Sequence, residues 1–361
     1  QVGNYNFVCP YSHDLTHGLM LTFLALACVA AYASRPRAWL IGAAGTLLGL
    51  VFLTKVEVLV AALCSIPPGI GAALWAERSP PQRTLQLMGL FLVTAAIPAL
   101  AAFGLLAGAK PAAQAFRGML GTWPAIFESQ AFASPFYRKW MGTLDPMASL
   151  EQLAVWTAGY AAAFGGAALL AFTLRRPGAL QRVTSALLAA IVGTGVLIAA
   201  QGERGRWLAH VAQPLPIVML LLAAGSLTAL TRRRDQQPDH PALLIRWMWS
   251  LLAFGLLGKM ILFAHMFNYG FALAMPAVLL SVVALLDWIP AFLTARGGHG
   301  ALFRTLALTW IGLLVVCYLK LMALHLDRKT YPVAVGADRF WADEQGLAVH
   351  LAVQDLLRRT Q

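Results

Sequence analysis

Side chains that can do chemistry are few in this chain, and they gather in short stretches. Tyr11-Ser-His-Asp-Leu-Thr-His-Gly18 sets two imidazoles, His13 and His17, one helical turn apart with the Asp14 carboxylate beside them. Two imidazoles and a carboxylate can hold a divalent metal, but nothing in the spacing requires one. No glutamate stands where a zinc-protease helix would carry it. A polar contact to a substrate is the stronger expectation for His13 and His17, and Asp14 also suits the first turn of a helix.

Three more stretches follow the same logic. In Leu53-Thr-Lys-Val-Glu57, Lys55 and Glu57 lie between two apolar runs, where they must pair, face water or meet a ligand. A lysine there is a point charge suited to phosphate. Gln201-Gly-Glu-Arg-Gly-Arg206 reads as a tight loop; Arg204 and Arg206 could each fork onto phosphate oxygens, or simply mark an ordinary connection. His265-Met-Phe-Asn-Tyr-Gly-Phe271 contributes His265, Asn268 and Tyr269, groups that exchange hydrogen bonds with sugar hydroxyls while aromatic rings stack. An aromatic belt with a glycine turn would use the same residues. Asn4, Tyr5, Asn6, Glu203, His210 and Lys259 accompany these stretches.

The elements that must position these groups are membrane helices. Of 361 residues, 59% are hydrophobic and only 12% charged, about half the charge of a soluble domain, and mean hydropathy is +0.69. A water-soluble globule, a disordered chain, a collagenous repeat and a disulfide framework are all excluded, the last because only 4 cysteines occur and none in a CxxC. The net charge of +12 marks membrane loops rather than nucleic-acid binding, since no basic stripe is interleaved with aromatics. Apolar runs near 20 residues predict spans at 15–33, 38–53, 58–76, 85–108, 150–174, 183–200, 207–230, 247–263, 270–293 and 302–322.

The expected fold is therefore an all-α polytopic membrane bundle of about ten transmembrane helices over 1–322. Segment 109–149, rich in Trp, Phe and Pro, should lie at the outer interface, and 323–361 should form a juxtamembrane tail that opens an outer segment. With 1–14 outside, about half of the 27 basic residues crowd the short loops of the opposite side. Keeping 38–53 and 58–76 separate preserves that alternation and puts both ends outside. The four polar stretches then all fall on the outer side, where burying them in lipid would need a reason. Gln1 is not a start methionine and Arg358-Arg359-Thr360-Gln361 closes no element, so a piece of a longer protein is expected.

Gly45-Thr-Leu-Leu-Gly-Leu-Val-Phe-Leu-Thr-Lys55, after a span that opens near Asp14, resembles the GT-C glycosyltransferases. In pattern it is similar to the protein O-mannosyltransferases and the aminoarabinose-to-lipid A transferases, where a Gly-rich apolar helix ending in Leu-Thr-Lys recurs. Asn4-Tyr-Asn-Phe through His17-Gly18 and the Asn268-Tyr-Gly-Phe stretch look like a bacterial branch of that superfamily. The motif match covers residues 1–110, and beyond it the resemblance rests on topology.

The resemblance implies a GT-C-like fold and an enzyme of the hexosyl- or pentosyltransferase type. Its donor would be a polyprenyl-phosphate-linked sugar, its acceptor a hydroxyl, and its place the periplasmic face of a bacterial inner membrane. A carboxylate base would activate the acceptor while basic residues stabilise the leaving phosphate. Lys55 matches the family's lysine and inherits the phosphate contact, with Arg204 and Arg206 as further phosphate ligands. Asp14 and Glu57 are the candidate catalytic carboxylates; His13, His17, His265, Asn268 and Tyr269 are the candidate substrate contacts. The family's main catalytic carboxylate follows a first helix that the sequence does not include before Gln1. Two other classes stay open: a lipid or small-molecule transporter or flippase, which would need a polar path across the midplane, and a non-catalytic membrane subunit.

Overall fold

The computed structural model describes residues 13–121, 123, 134–173, 208, 210–232, 240–267, 270–334, 336 and 339–360. Almost all of these are helical, and the architecture is an all-α membrane bundle. The helices are α1 (His13–Ser34), α2 (Ala38–Phe52), α3 (Val56–Ala76), α4 (Pro81–Ala107), α5 (Ala112–Leu120), α6 (Pro135–Met141) and α7 (Pro146–Thr173). Then come α8 (Leu215–Arg232), α9 (His240–Leu257), α10 (Gly270–Val283), α11 (Ile289–Ala295), α12 (Gly300–Leu326) and, after a hairpin of β1 (Tyr331–Val333) and β2 (Phe340–Ala342), α13 (Glu344–Thr360). A 3-10 turn, Gly258–Met260, extends α9, and a π-turn, Ala284–Trp288, joins α10 to α11.

Eight helical stretches among the described residues are long and apolar enough to cross a membrane. They coincide with the spans expected from hydropathy, with two exceptions. The run 38–53 forms α2, only 15 residues and so about 22 Å long, short of a hydrocarbon core of about 30 Å. The expected span 183–200 lies outside the described residues. In the 109–149 segment, α5 and α6 are short helices that start just after Pro111 and at Pro135.

The chain forms two compact units, one of Gln1–Leu169 with Ala209–Ile289, the other of Leu170–Leu208 with Pro290–Gln361. In the first, α1, α3, α8, α9 and α10 share a core that includes Leu19, Leu26, Ile66, Ile70, Met219, Leu252 and Leu256, all fully buried. Two polar residues inside it bond within their own helix: Thr22 donates to the Gly18 carbonyl at 2.8 Å and Ser250 to that of Arg246 at 2.7 Å. That removes the penalty of an unpaired hydroxyl.

The glycine spacing of α2 finds its reason in packing. Gly45 and Gly49 lie one turn apart against α4, where a Cβ would run into the Phe91 carbonyl and Thr94 at one level and the Ala95 carbonyl and Pro98 at the next. Backbone therefore meets backbone along this face. On the side away from α2, α4 leaves Leu92, Ile97, Leu100 and Leu105 exposed, as a lipid-facing helix should. Below, Tyr32 donates to Glu77 at 2.6 Å and Arg83 reaches the other carboxylate oxygen at 3.0 Å, tying α1, α3 and α4 together.

In the second unit His299 caps α12, its ring nitrogen accepting from the Leu302 amide at 2.9 Å. The hairpin after α12 pairs antiparallel, Tyr331 with Ala342 and Val333 with Phe340.

Candidate functional site

Two helix contacts bring the polar residues together. Gly18 of α1 packs on Thr54: a Cβ there would stand 2.6 Å from the threonine hydroxyl. Asp14 is one turn before Gly18 on the same face, and Lys55 follows Thr54, so the contact carries Asp14 to Lys55, Oδ2 to Nζ 3.3 Å. The second contact joins antiparallel α3 and α9, where a Cβ on Gly255 would stand 2.9 Å from the Ala61 Cα. Glu57 is one turn from Ala61 towards the start of α3, and Lys259 one turn past Gly255 towards the end of α9. They meet as an ion pair.

The result is two crossed pairs at one end of the bundle, Asp14 with Lys55 and Glu57 with Lys259. Lys55 and Glu57, two positions apart in sequence and expected to pair with each other if they pair at all, each take a partner from another helix. Lys259 had no assigned role in the sequence; its place one turn beyond Gly255 was the signal. The Asp14–Lys55 pair is the more open, its side chains 45% and 31% exposed, against 28% and 26% for Glu57 and Lys259.

Along the first turns of α1 lies a cleft of ≈ 400 Å³. His13, Thr16 and His17 line its polar end; Leu19, Met20 and Phe23 of α1 with Met275 of α10 form its apolar wall. The two imidazoles stand 6.2 Å apart, centre to centre. So the α1 start presents His13 and His17 to the cleft and Asp14 to Lys55. Among the described residues no three His, Cys, Asp or Glu side chains are grouped to hold a metal ion. Met20, Phe23 and Met275 carry no sequence signal that separates them from other apolar residues of their spans.

His265 sits elsewhere, fully buried in the connection between α9 and α10. Its Nδ1 lies 2.8 Å from the Phe263 carbonyl, which accepts from it. Phe267, Phe263 and Trp140 surround the ring at 4.4, 5.3 and 5.6 Å between centroids. Burial pushes its pKa down, partly offset by the bond to Phe263. Gly270 gives the ring its room, since a Cβ there would be 2.6 Å from Cδ2. Gly142, at φ +77, brings α6 onto Leu262, a close approach in a backbone region that favours glycine.

The nest continues to His210, 5.5 Å from Phe263 and stacked on Trp156 at 6.1 Å, its pKa also lowered by burial. Gln213, in the turn before α8, is fully buried and its side-chain amide has no hydrogen-bond partner among the described residues. Trp156 and Gln213 were not singled out by the sequence, and Trp140 only as one of the aromatics of the 109–149 segment.

Of the candidate site residues, the structure thus gathers Asp14, Lys55, Glu57, His13 and His17 at one end of the bundle. His265 is held within the aromatic nest rather than in the cleft. Arg204, Arg206, Asn268 and Tyr269 lie outside the described residues. Comparison of the chain with family models, curated proteins and solved structures finds no match.

Proposed function

We propose that the chain belongs to a GT-C-like membrane glycosyltransferase that takes a sugar from a polyprenyl-phosphate donor and passes it to an acceptor hydroxyl. The reaction would occur at the periplasmic face of a bacterial inner membrane, with about ten spans and both ends of this chain on that face. The observation that carries the reading is Lys55, partly exposed and ion-paired to Asp14, whose neighbour in sequence, His13, lines with His17 an otherwise largely apolar cleft.

An amphiphile with an anionic head matches that arrangement. Leu19, Met20, Phe23 and Met275 offer a wall for a hydrocarbon chain, and Lys55 offers the charge for a phosphate. Arg204 and Arg206 supply further donors to that phosphate. His13 and His17 meet the polar part of the ligand, as do Asn268 and Tyr269, while His265 braces the aromatic wall. Of the two carboxylates, Asp14 is the more accessible to an acceptor hydroxyl, and Glu57 holds Lys259 in place. The reading requires no metal.

Equilibrium binding of a polyprenyl phosphate to the detergent-solubilised chain tests it, with the uncharged prenol as control. Lys55→Ala should weaken phosphate binding about tenfold or more, the loss of one charge-assisted contact, and leave prenol binding unchanged. Equal phosphate affinity in the variant and the parent chain would remove the assignment.

A further inference from the structure

The tail after α12 has an unusual balance of inside and outside. Val333 and Ala342 of the hairpin are buried, and Leu347 and His350 of α13 are half-buried. A Cβ on Gly346 would stand 2.9 Å from that of Ala342, so the first turn of α13 sits directly on β2. Against this small interior, Tyr331, Phe340, Trp341, Val349 and Val353 are exposed, Val349 by 64% and Trp341 by 54%. A soluble unit of this size rarely leaves so much apolar surface open.

The periodicity of α13 sorts these residues. Val349 and Val353, one turn apart with Ala352 between them, share one side of the helix. Asp355, which pairs with Arg359 at 2.8 Å, lies on the other side. The aromatic side chains belong to the hairpin, and Arg339 rests over the Trp341 ring at 5.5 Å.

Chain geometry decides what can cover the apolar side. From Thr305 to Leu326, α12 has no Asp, Glu, Lys, Arg or His except Lys320 and His325, a largely apolar length of about 33 Å that matches one hydrocarbon core. Only 327–330 separate Leu326 from β1, a tether that reaches about 14 Å at full extension. The hairpin is thereby held at the level of the headgroups. The tail's charges balance, with Arg328, Lys329, Arg339, Arg358 and Arg359 against Asp327, Asp338, Asp343, Glu344 and Asp355. Apolar burial rather than attraction to anionic lipid would seat it.

We propose that α13 lies along the surface of the bilayer that α12 crosses, with the Val349–Val353 side in the acyl boundary and the Asp355–Arg359 side in water. Trp341, Phe340 and Tyr331 then sit where aromatic rings favour the interface, and the arrangement is that of an amphipathic surface helix. This inference does not depend on the glycosyltransferase reading.

Site-directed spin labelling of the whole chain in phosphatidylcholine nanodiscs tests it, with Cys9, Cys28, Cys64 and Cys317 changed to serine. Labels go on Val349→Cys and Val353→Cys on one side, Leu351→Cys and Asp355→Cys on the other. The first two should collide severalfold more often with oxygen than with a water-soluble nickel chelate, relative to the second two. Equal nickel access at all four positions would put α13 in water and overturn the proposal. Low access of both reagents at 349 and 353 would overturn it too, because protein and not lipid would then cover that side. Two labels per side keep the result independent of any single variant that folds poorly.

Discussion

Removing the carboxylate of Glu57 should cost the fold more than removing that of Asp14, although both form an ion pair with a lysine. Exposed pairs contribute about 0–1 kcal/mol, whereas taking one partner from a fully buried pair costs about 3–5 kcal/mol. With side chains 28% and 26% exposed, the Glu57–Lys259 pair falls between these limits, and Glu57→Gln should cost about 2 kcal/mol after allowance for screening. That is about a thirtyfold change in the folding equilibrium. Asp14→Asn, in a pair 45% and 31% exposed at 3.3 Å, should cost about 0.5 kcal/mol.

The assay is reversible unfolding in mixed micelles at neutral pH, run on Glu57→Gln, Lys259→Met and the double variant. The double change should cost less than the sum of the singles by about 1–2 kcal/mol, the signature of direct coupling. A coupling below about 0.3 kcal/mol, the usual error of additivity, would refute the register in which Gly255 on Ala61 delivers Lys259 to Glu57. So would a Glu57→Gln cost no larger than that of Asp14→Asn.

Two further outcomes follow from packing and protonation. Gly45→Val should destabilise by about 1–3 kcal/mol or more through overpacking of α2 on α4, whereas Gly71→Ala, where a Cβ meets nothing within 4 Å, should be neutral or gain up to about 1 kcal/mol; equal effects in thermal unfolding would remove the close α2–α4 approach. For pH, His265 and His210 titrate below their ordinary 6.5 when folded, so the unfolded chain binds protons first as pH falls. Their stabilising contribution is complete above 6.5 and is lost towards lower pH. Unfolding midpoints should drop as pH falls below about 6.5, less steeply in His265→Asn, which keeps a donor for the Phe263 carbonyl; an unchanged slope would contradict a neutral, desolvated His265.

The fold class and most span positions were legible because apolar length is a one-dimensional property. Burial of a helix in lipid depends on its own residues, and α1, α3, α4 and α12 could be bounded without knowing any neighbour. The polar end of the bundle was legible for the same reason, since Asp14, Lys55, Glu57 and Lys259 interrupt or bound apolar runs.

Partner choice was not legible. Lys55 precedes α3 in an extended backbone, φ −112 and ψ 129, so it leaves the helix on the side of α1, while Glu57 lies within the first turn and faces α9. Two residues of separation thus point to two different helices, and which helices those are depends on where Gly18 and Gly255 let backbones approach. The cleft shows the same limit, because Met275 joins α1 only through the packing of α10. By itself the sequence determined that the chain is a set of membrane helices with its charges at their ends. Tertiary structure alone decided which charges meet, because ion pairing acts over a few ångströms and the helix register that sets those distances comes from interhelical contacts far apart in the chain.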